Sequence, residues 1–154
     1  MTGLASGLIN GPLGNTHCCI EDVGALRSIP NLTIVSPADG VGIVKAVFAS
    51  AESDQPIYIR LSGGSNNPIV YHDDIDFQIG KAIEIETGND LTIFATGTMV
   101  FYSLQAAKIL AQKGISASVW DMHTIKPIDE TALRKAADKN KLIVTVEEHN
   151  VFGG

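Results

Sequence analysis

Gly14-Asn15-Thr16-His17 gathers residue types suited to handling a sugar or a carbonyl group. It ends an opening stretch that carries four glycines, Gly3, Gly7, Gly11 and Gly14, together with Pro12. Such a stretch reads as an irregular loop whose backbone reaches conformations closed to other residues. Histidine is the side chain best placed to share or exchange a proton near neutral pH, and loops on rigid scaffolds carry function. His17 is therefore the first candidate for hydrogen bonding to a substrate hydroxyl or carbonyl, or for proton transfer; the alternative is a loop histidine satisfied by backbone groups. Asn15 can line the same cleft, or hold the turn through local hydrogen bonds. Arg60 is the second candidate. It closes the apolar run Pro56-Ile57-Tyr58-Ile59, where a guanidinium at the carboxyl end of a parallel strand can grip a phosphate. Its alternative role is a surface ion pair with Asp54 or Glu52.

Weaker signals surround these. Glu21 and Asp22 fall in the first turn of a predicted helix, where carboxylates suit the helix dipole, so a solvated or capping role is expected. Gly97 lies between a strand and a helix, but Thr96-Gly97-Thr98-Met99 lacks the spacing of a dinucleotide loop. His123 and His149 each follow a strand and are assigned structural or subunit-contact roles. The histidines show no ligand spacing, so no metal site built from this chain alone is expected. Cys18 and Cys19 are adjacent and read as reduced thiols.

The elements that must position these groups follow from periodicity. Ile20, Val23, Leu26 and Ile29 mark one face of a short helix that Pro30 stops. Leu32–Val35 is a buried strand. Asp39 is the expected N-cap of a helix over 40–52, with Val41, Val44, Val47 and Phe48 inward. Pro56–Leu61 is the next strand, parallel to the previous one. Gly63-Gly64-Ser65-Asn66-Asn67-Pro68 changes the character of the chain, and a linker with one or two edge strands is expected up to Gly88. A second cycle follows: strand 91–95, helix 99–113 closed by Gly114, strand 116–121, a loop through Pro127, a helix capped by Asp129, and strand 142–147. Alternating strands and helices give an α/β protein with two compact halves.

Composition narrows the class of function. With 154 residues, 45% hydrophobic and 18% charged, the chain has the make-up of a globular protein with a sizeable core. A net charge of −6 argues against general nucleic-acid binding. No apolar run is long enough to cross a bilayer, and no signal peptide is evident at the start.

Two motifs carry a resemblance. G-N-T-H-C-C-I-E-D, followed by I-P-N-L-T-I-V-S-P-A-D, resembles the pyrimidine-binding domain of transketolases and of the related 1-deoxyxylulose-5-phosphate synthases. The likeness continues beyond residue 90 into a segment similar to the transketolase C-terminal domain. It implies two three-layer α/β/α, Rossmann-like halves with mainly parallel sheets, the first incomplete. It also implies a partial pyrimidine-binding domain over 1–68, a linker over 69–88, and a C-terminal domain over 89–154 lacking its last helix. The expected function is that of a fragment or C-terminal subunit of a cytoplasmic transketolase, moving a two-carbon ketol unit between sugar phosphates as in the pentose phosphate pathway. The alternatives are the synthase branch, which condenses pyruvate with a triose phosphate, and a non-catalytic α/β interaction module. The cofactor implied is thiamine diphosphate with magnesium, held mainly by a domain outside this sequence. The partners implied are that N-terminal cofactor-binding section or subunit, a second copy of the chain and a sugar phosphate, with no nucleic acid and no membrane. The resemblance makes His17 the catalytic and substrate-contacting histidine and places an arginine in the region of Arg60 against the sugar phosphate, while Asn15 stays a substrate-binding candidate from its place in the turn. The family's catalytic glutamate belongs upstream of Met1. Leu13 stands where many members carry an aspartate, which weakens the expected sugar contacts.

Overall fold

A computed structural model of the chain describes residues 1–62 and 67–154. Most of the segment read as a change of character, Gly63 to Asn66, lies outside the described residues. Strand β1 is Thr2–Gly3, β2 Thr33–Val35, β3 Ile57–Arg60, β4 Ile83–Glu86, β5 Leu91–Ala95, β6 Ala117–Asp121, β7 Thr124–Lys126 and β8 Ile143–Val146. Helix α1 is Asp22–Leu26, α2 Gly40–Ala51, α3 Met99–Gln112 and α4 Glu130–Lys139. The strands form two four-stranded sheets, in the orders β1-β3-β2-β7 and β4-β6-β5-β8. All pairings are parallel except β2 with β7 and β4 with β6. The protein is α/β with mainly parallel sheets.

Alternation along the strands builds the layers, because successive side chains leave a strand on opposite faces. Ile34 packs with Val23 of α1 and Tyr58, whereas its neighbour Val35 packs with Ala46 of α2, Ile57 and Ile59. Phe94 packs with Trp120 and with Ala132 and Ala136 of α4, whereas Ile93 packs with Val119 and Ala107 of α3. Each sheet thus carries a helix on each face. Both predicted caps form: the Asp39 carboxylate accepts from Gly42 N at 3.0 Å and that of Asp129 from Ala132 N at 3.0 Å. Caps of this kind contribute about 1 kcal/mol each.

Three features differ from expectation. Residues Thr2–Gly3, read as loop, extend the first sheet beside β3, with Ile59 N donating to Met1 O and Leu61 N to Gly3 O. The face of α2 expected inward is mostly outward, with Val44, Val47 and Phe48 at 55%, 50% and 67% exposure. Gly42 and Ala46 are the buried residues instead, and the small Ala46 packs on Val35, Ile57 and Ile59 of the sheet. The loop expected before Pro127 contains β7, which leaves the second sheet and pairs with β2 of the first.

That crossing is packed with polar groups. Tyr71 donates its hydroxyl to Asp121 at 2.8 Å, and the Asp39 carboxylate also accepts from Val70 N and Tyr71 N. His123 is fully buried, stacked on Phe77 at 4.0 Å between ring centroids. The segment expected as a linker is therefore strapped to both halves, and its end, β4, is an edge strand of the second sheet.

Candidate functional site

His17 ends a single 3₁₀ turn, Asn15–His17, preceded by Gly14 at φ 77°. Asn15 and His17 are both exposed. The neck of this loop is closed by two backbone bonds between Gly7 and Cys19, at 2.7 and 3.1 Å. Thr16 Oγ1 lies 2.9 Å from His17 Nδ1, a contact between neighbours that restrains the imidazole from its nearer nitrogen. Cys18 Sγ donates to Gly14 O at 3.4 Å, and both cysteines are free thiols.

Arg60 lies at the carboxyl end of β3, as expected, but points into the protein. Its side chain is 4% exposed and its Nε donates to Asp22 Oδ2 at 2.9 Å. Its Nη2 donates to Cys19 O at 3.2 Å and to Glu148 O at 2.9 Å. Nε and Nη2 of the guanidinium thus hold Asp22 and the backbone at Cys19 and Glu148, beside the His17 loop. Its acid is neither Asp54 nor Glu52. Asp22, expected to be solvated, is that partner, and Tyr58 donates to the same oxygen at 2.9 Å. Burial pushes the Asp22 carboxyl up, but the hydrogen bond and charge of Arg60, with the Tyr58 bond, outweigh it and hold it below the usual value. The Tyr58 hydroxyl is driven well above its ordinary value by burial and by Asp22.

Other candidate groups sit apart. Gly97 is at φ 56° and donates its N–H to Ser36 O at 3.1 Å, so it closes a turn against the first half. A cavity of about 470 Å³, whose lining includes Phe94, Met122, Ile125, Leu133, Arg27 and Lys126, includes none of His17, Asn15 and Arg60. Among the described residues no three His, Cys, Asp or Glu side chains converge as metal ligands.

Two family models match the sequence, the pyrimidine-binding domain of transketolase over residues 4–67 and the transketolase C-terminal domain over residues 80–154. The chain belongs to the transketolase family. It is 41% identical to a subunit of the apulose-4-phosphate transketolase of Phocaeicola vulgatus, over 99% of this chain and 49% of that protein. It is 33% identical to a 1-deoxy-D-xylulose-5-phosphate synthase of Halothermothrix orenii, over 95% of this chain and 23% of that protein. Among solved structures, a split gene transketolase described as an inactive beta4 tetramer superposes with a TM-score of 0.89 at 38% identity, covering 99% of this chain and 49% of that one. The chain spans about half the length of the curated transketolase subunits it matches. No helix among the described residues is long and apolar enough to cross a membrane.

For this transketolase-family chain, sequence patterns located the loop but missed what holds it. Asp22 read as a helix-dipole residue, and nothing local links it to an arginine in a strand far along the chain.

Proposed function

We propose that this chain is the C-terminal section or subunit of a thiamine-diphosphate-dependent transketolase that moves a two-carbon ketol unit between sugar phosphates. The observation that carries the reading is the exposed His17 imidazole, on a braced loop, in a chain matched along nearly its whole length by transketolase subunits. In the complete enzyme the cofactor supplies the carbanion chemistry. This chain's residues bind and orient the sugar: His17 donates to or accepts from a hydroxyl, and Asn15 lines the cleft beside it. Arg60 supports that loop from within. The missing acid at Leu13, 60% exposed, leaves one polar contact fewer for the donor sugar.

Magnesium and the diphosphate are held, in this reading, by a partner carrying the cofactor-binding domain, so the chain alone is inactive. The proposal places the enzyme in the cytoplasm and keeps the division into a partial pyrimidine-binding domain over 1–68, a linker over 69–88 and a C-terminal domain over 89–154. It also includes association of two copies through apolar surface such as that of α2. Light scattering of the chain and of a Phe48→Glu variant tests this last point, and a wild type monomeric at high concentration overturns it.

The decisive experiment combines the chain with its cofactor-binding partner, thiamine diphosphate and magnesium, and follows ketose phosphate consumption against a series of aldose phosphates. Transfer that needs both chains is the expected result. Condensation of pyruvate with a triose phosphate, without ketol transfer, would move the assignment to the synthase branch. No turnover with either substrate set, in a complex that forms and binds cofactor, would favour the non-catalytic module.

A further inference from the structure

We propose that Glu148, His149 and Asn150, which follow β8 in the second half, are positioning residues for the His17 loop of the first half. The inference rests on the reading of His17 as a substrate contact. Glu148 and Asn150 act at the two stems of the loop rather than at its tip, and His149 acts on the helix that follows it. On the incoming stem, Glu148 Oε1 accepts from Leu8 N at 3.1 Å, next to the Gly7–Cys19 neck. On the outgoing stem, Ile20 O accepts from Asn150 N at 3.0 Å and from Asn150 Nδ2 at 2.8 Å. One turn further on, Gly24 N donates to His149 Nε2 at 3.1 Å, while His149 Nδ1 faces Asn150 O at 2.9 Å.

The clasp is anchored on its own side. Glu148 Oε2 accepts from Thr98 Oγ1 at 2.8 Å, where α3 begins, and Glu148 O accepts from Arg60. The strand before it is locked in parallel register, Val146 opposite Ala95. The approach is close enough to require glycine. Gly7 is at φ 73°, and a Cβ there would lie 2.7 Å from Glu148 Oε2. A Cβ on Gly153 would lie 2.6 Å from Gly24 Cα. The position of the neck, two residues from His17, is thus set by the second sheet. The C-terminal half acts on the substrate through that loop, by holding its stems.

The test uses the complete enzyme with its partner, cofactor and a ketose–aldose phosphate pair. Glu148→Ala and Asn150→Ala are each made alone and combined with His17→Ala, with Glu148→Gln as the conservative control that keeps an acceptor for Leu8 N. Misplacement by a fraction of an ångström should lower kcat/KM roughly tenfold where His17 is present. In the His17→Ala background the same changes should cost less than about twofold, and Glu148→Gln should stay within about twofold of wild type. Hydrogen exchange of residues 8–20 should quicken in both alanine variants and not in Glu148→Gln. Equal losses in both backgrounds, or unchanged exchange at the loop in both alanine variants, would overturn the proposal. Should His17→Ala itself leave kcat/KM unaltered, the functional reading of His17 fails, and quickened exchange would still establish the clasp.

Discussion

Arg60 and Asp22 meet at 2.9 Å with side chains only 4% and 8% exposed, so the first half contains a buried ion pair directly beneath its candidate loop. Removing one member leaves the other buried without its counter-charge, the costly way to break such a pair. Asp22→Ala should therefore lower unfolding free energy by about 3 kcal/mol. The double variant Asp22→Leu/Arg60→Met, which removes both charges, should recover much of that loss. Urea unfolding of the three proteins measures it, and a single-variant loss below about 0.5 kcal/mol would show the pair to be energetically idle.

Two buried groups at the crossing between the sheets make opposite pH contributions. Burial pushes the Asp121 carboxyl up to about 7, with the Asp39 charge adding to the rise and the Tyr71 hydrogen bond opposing it. The folded chain then holds this proton more tightly than the unfolded one, so the stability it confers is full in acid and is lost as pH rises toward 7. Burial pushes His123 down to about 4, against the Asp129 charge and a backbone hydrogen bond. Here the unfolded chain binds the proton more tightly, so stability is full above the ordinary histidine value and is lost as pH falls toward 4. Asp121→Asn should uncover the histidine term. Between pH 5 and 7 the variant's stability should rise with pH more steeply than the wild type's, by at most about 1.4 kcal/mol per pH unit. A shallower rise in the variant would reverse the assigned sign.

His17→Ala tests the candidate site without disturbing the core, because the imidazole is exposed and, among the described residues, its side-chain hydrogen bond is with the neighbouring Thr16. In the assembled enzyme kcat/KM should fall on the order of 100-fold, while the thermal midpoint of the chain stays within about 1 °C. An unaltered rate with every ketose and aldose phosphate tried would return His17 to a structural role.

Gly88, in the turn between β4 and β5, lies against the backbone of Ala117 and Ser118, and a Cβ there would overlap both residues. The obstacle is main chain in the parallel β5–β6 pair, which cannot turn aside as a side chain can. Gly88→Ala should cost about 2 kcal/mol or more, read as a lowered denaturation midpoint with unchanged slope. By contrast Gly40→Ala, where an added Cβ meets nothing within 4 Å, should be neutral to stabilising.

What the sequence determined by itself was local. The helices over 40–51, 99–112 and 130–139 were legible from the turn and cap residues that bound them, among them an aspartate placed just before the first and the last. So were the strands from 33, 57, 91, 117 and 143, and the exposed turn that presents His17. These features depend on propensity and hydrogen bonds within a few residues, which the order of residues states directly. The inward face of α2 was not legible, because Gly40–Ala51 is apolar on nearly every side and periodicity cannot choose a face. Nor was the departure of β7 from the second half to pair with β2, since three residues of strand carry no mark of their partner. The same holds for the joining of Arg60 to Asp22 and of Glu148 to Leu8, pairs separated by 38 and 140 residues. A carboxylate has the same composition whether it faces water or a guanidinium. Only the packing of the two sheets brings these groups out of water and within hydrogen-bonding distance, and so selects the partner.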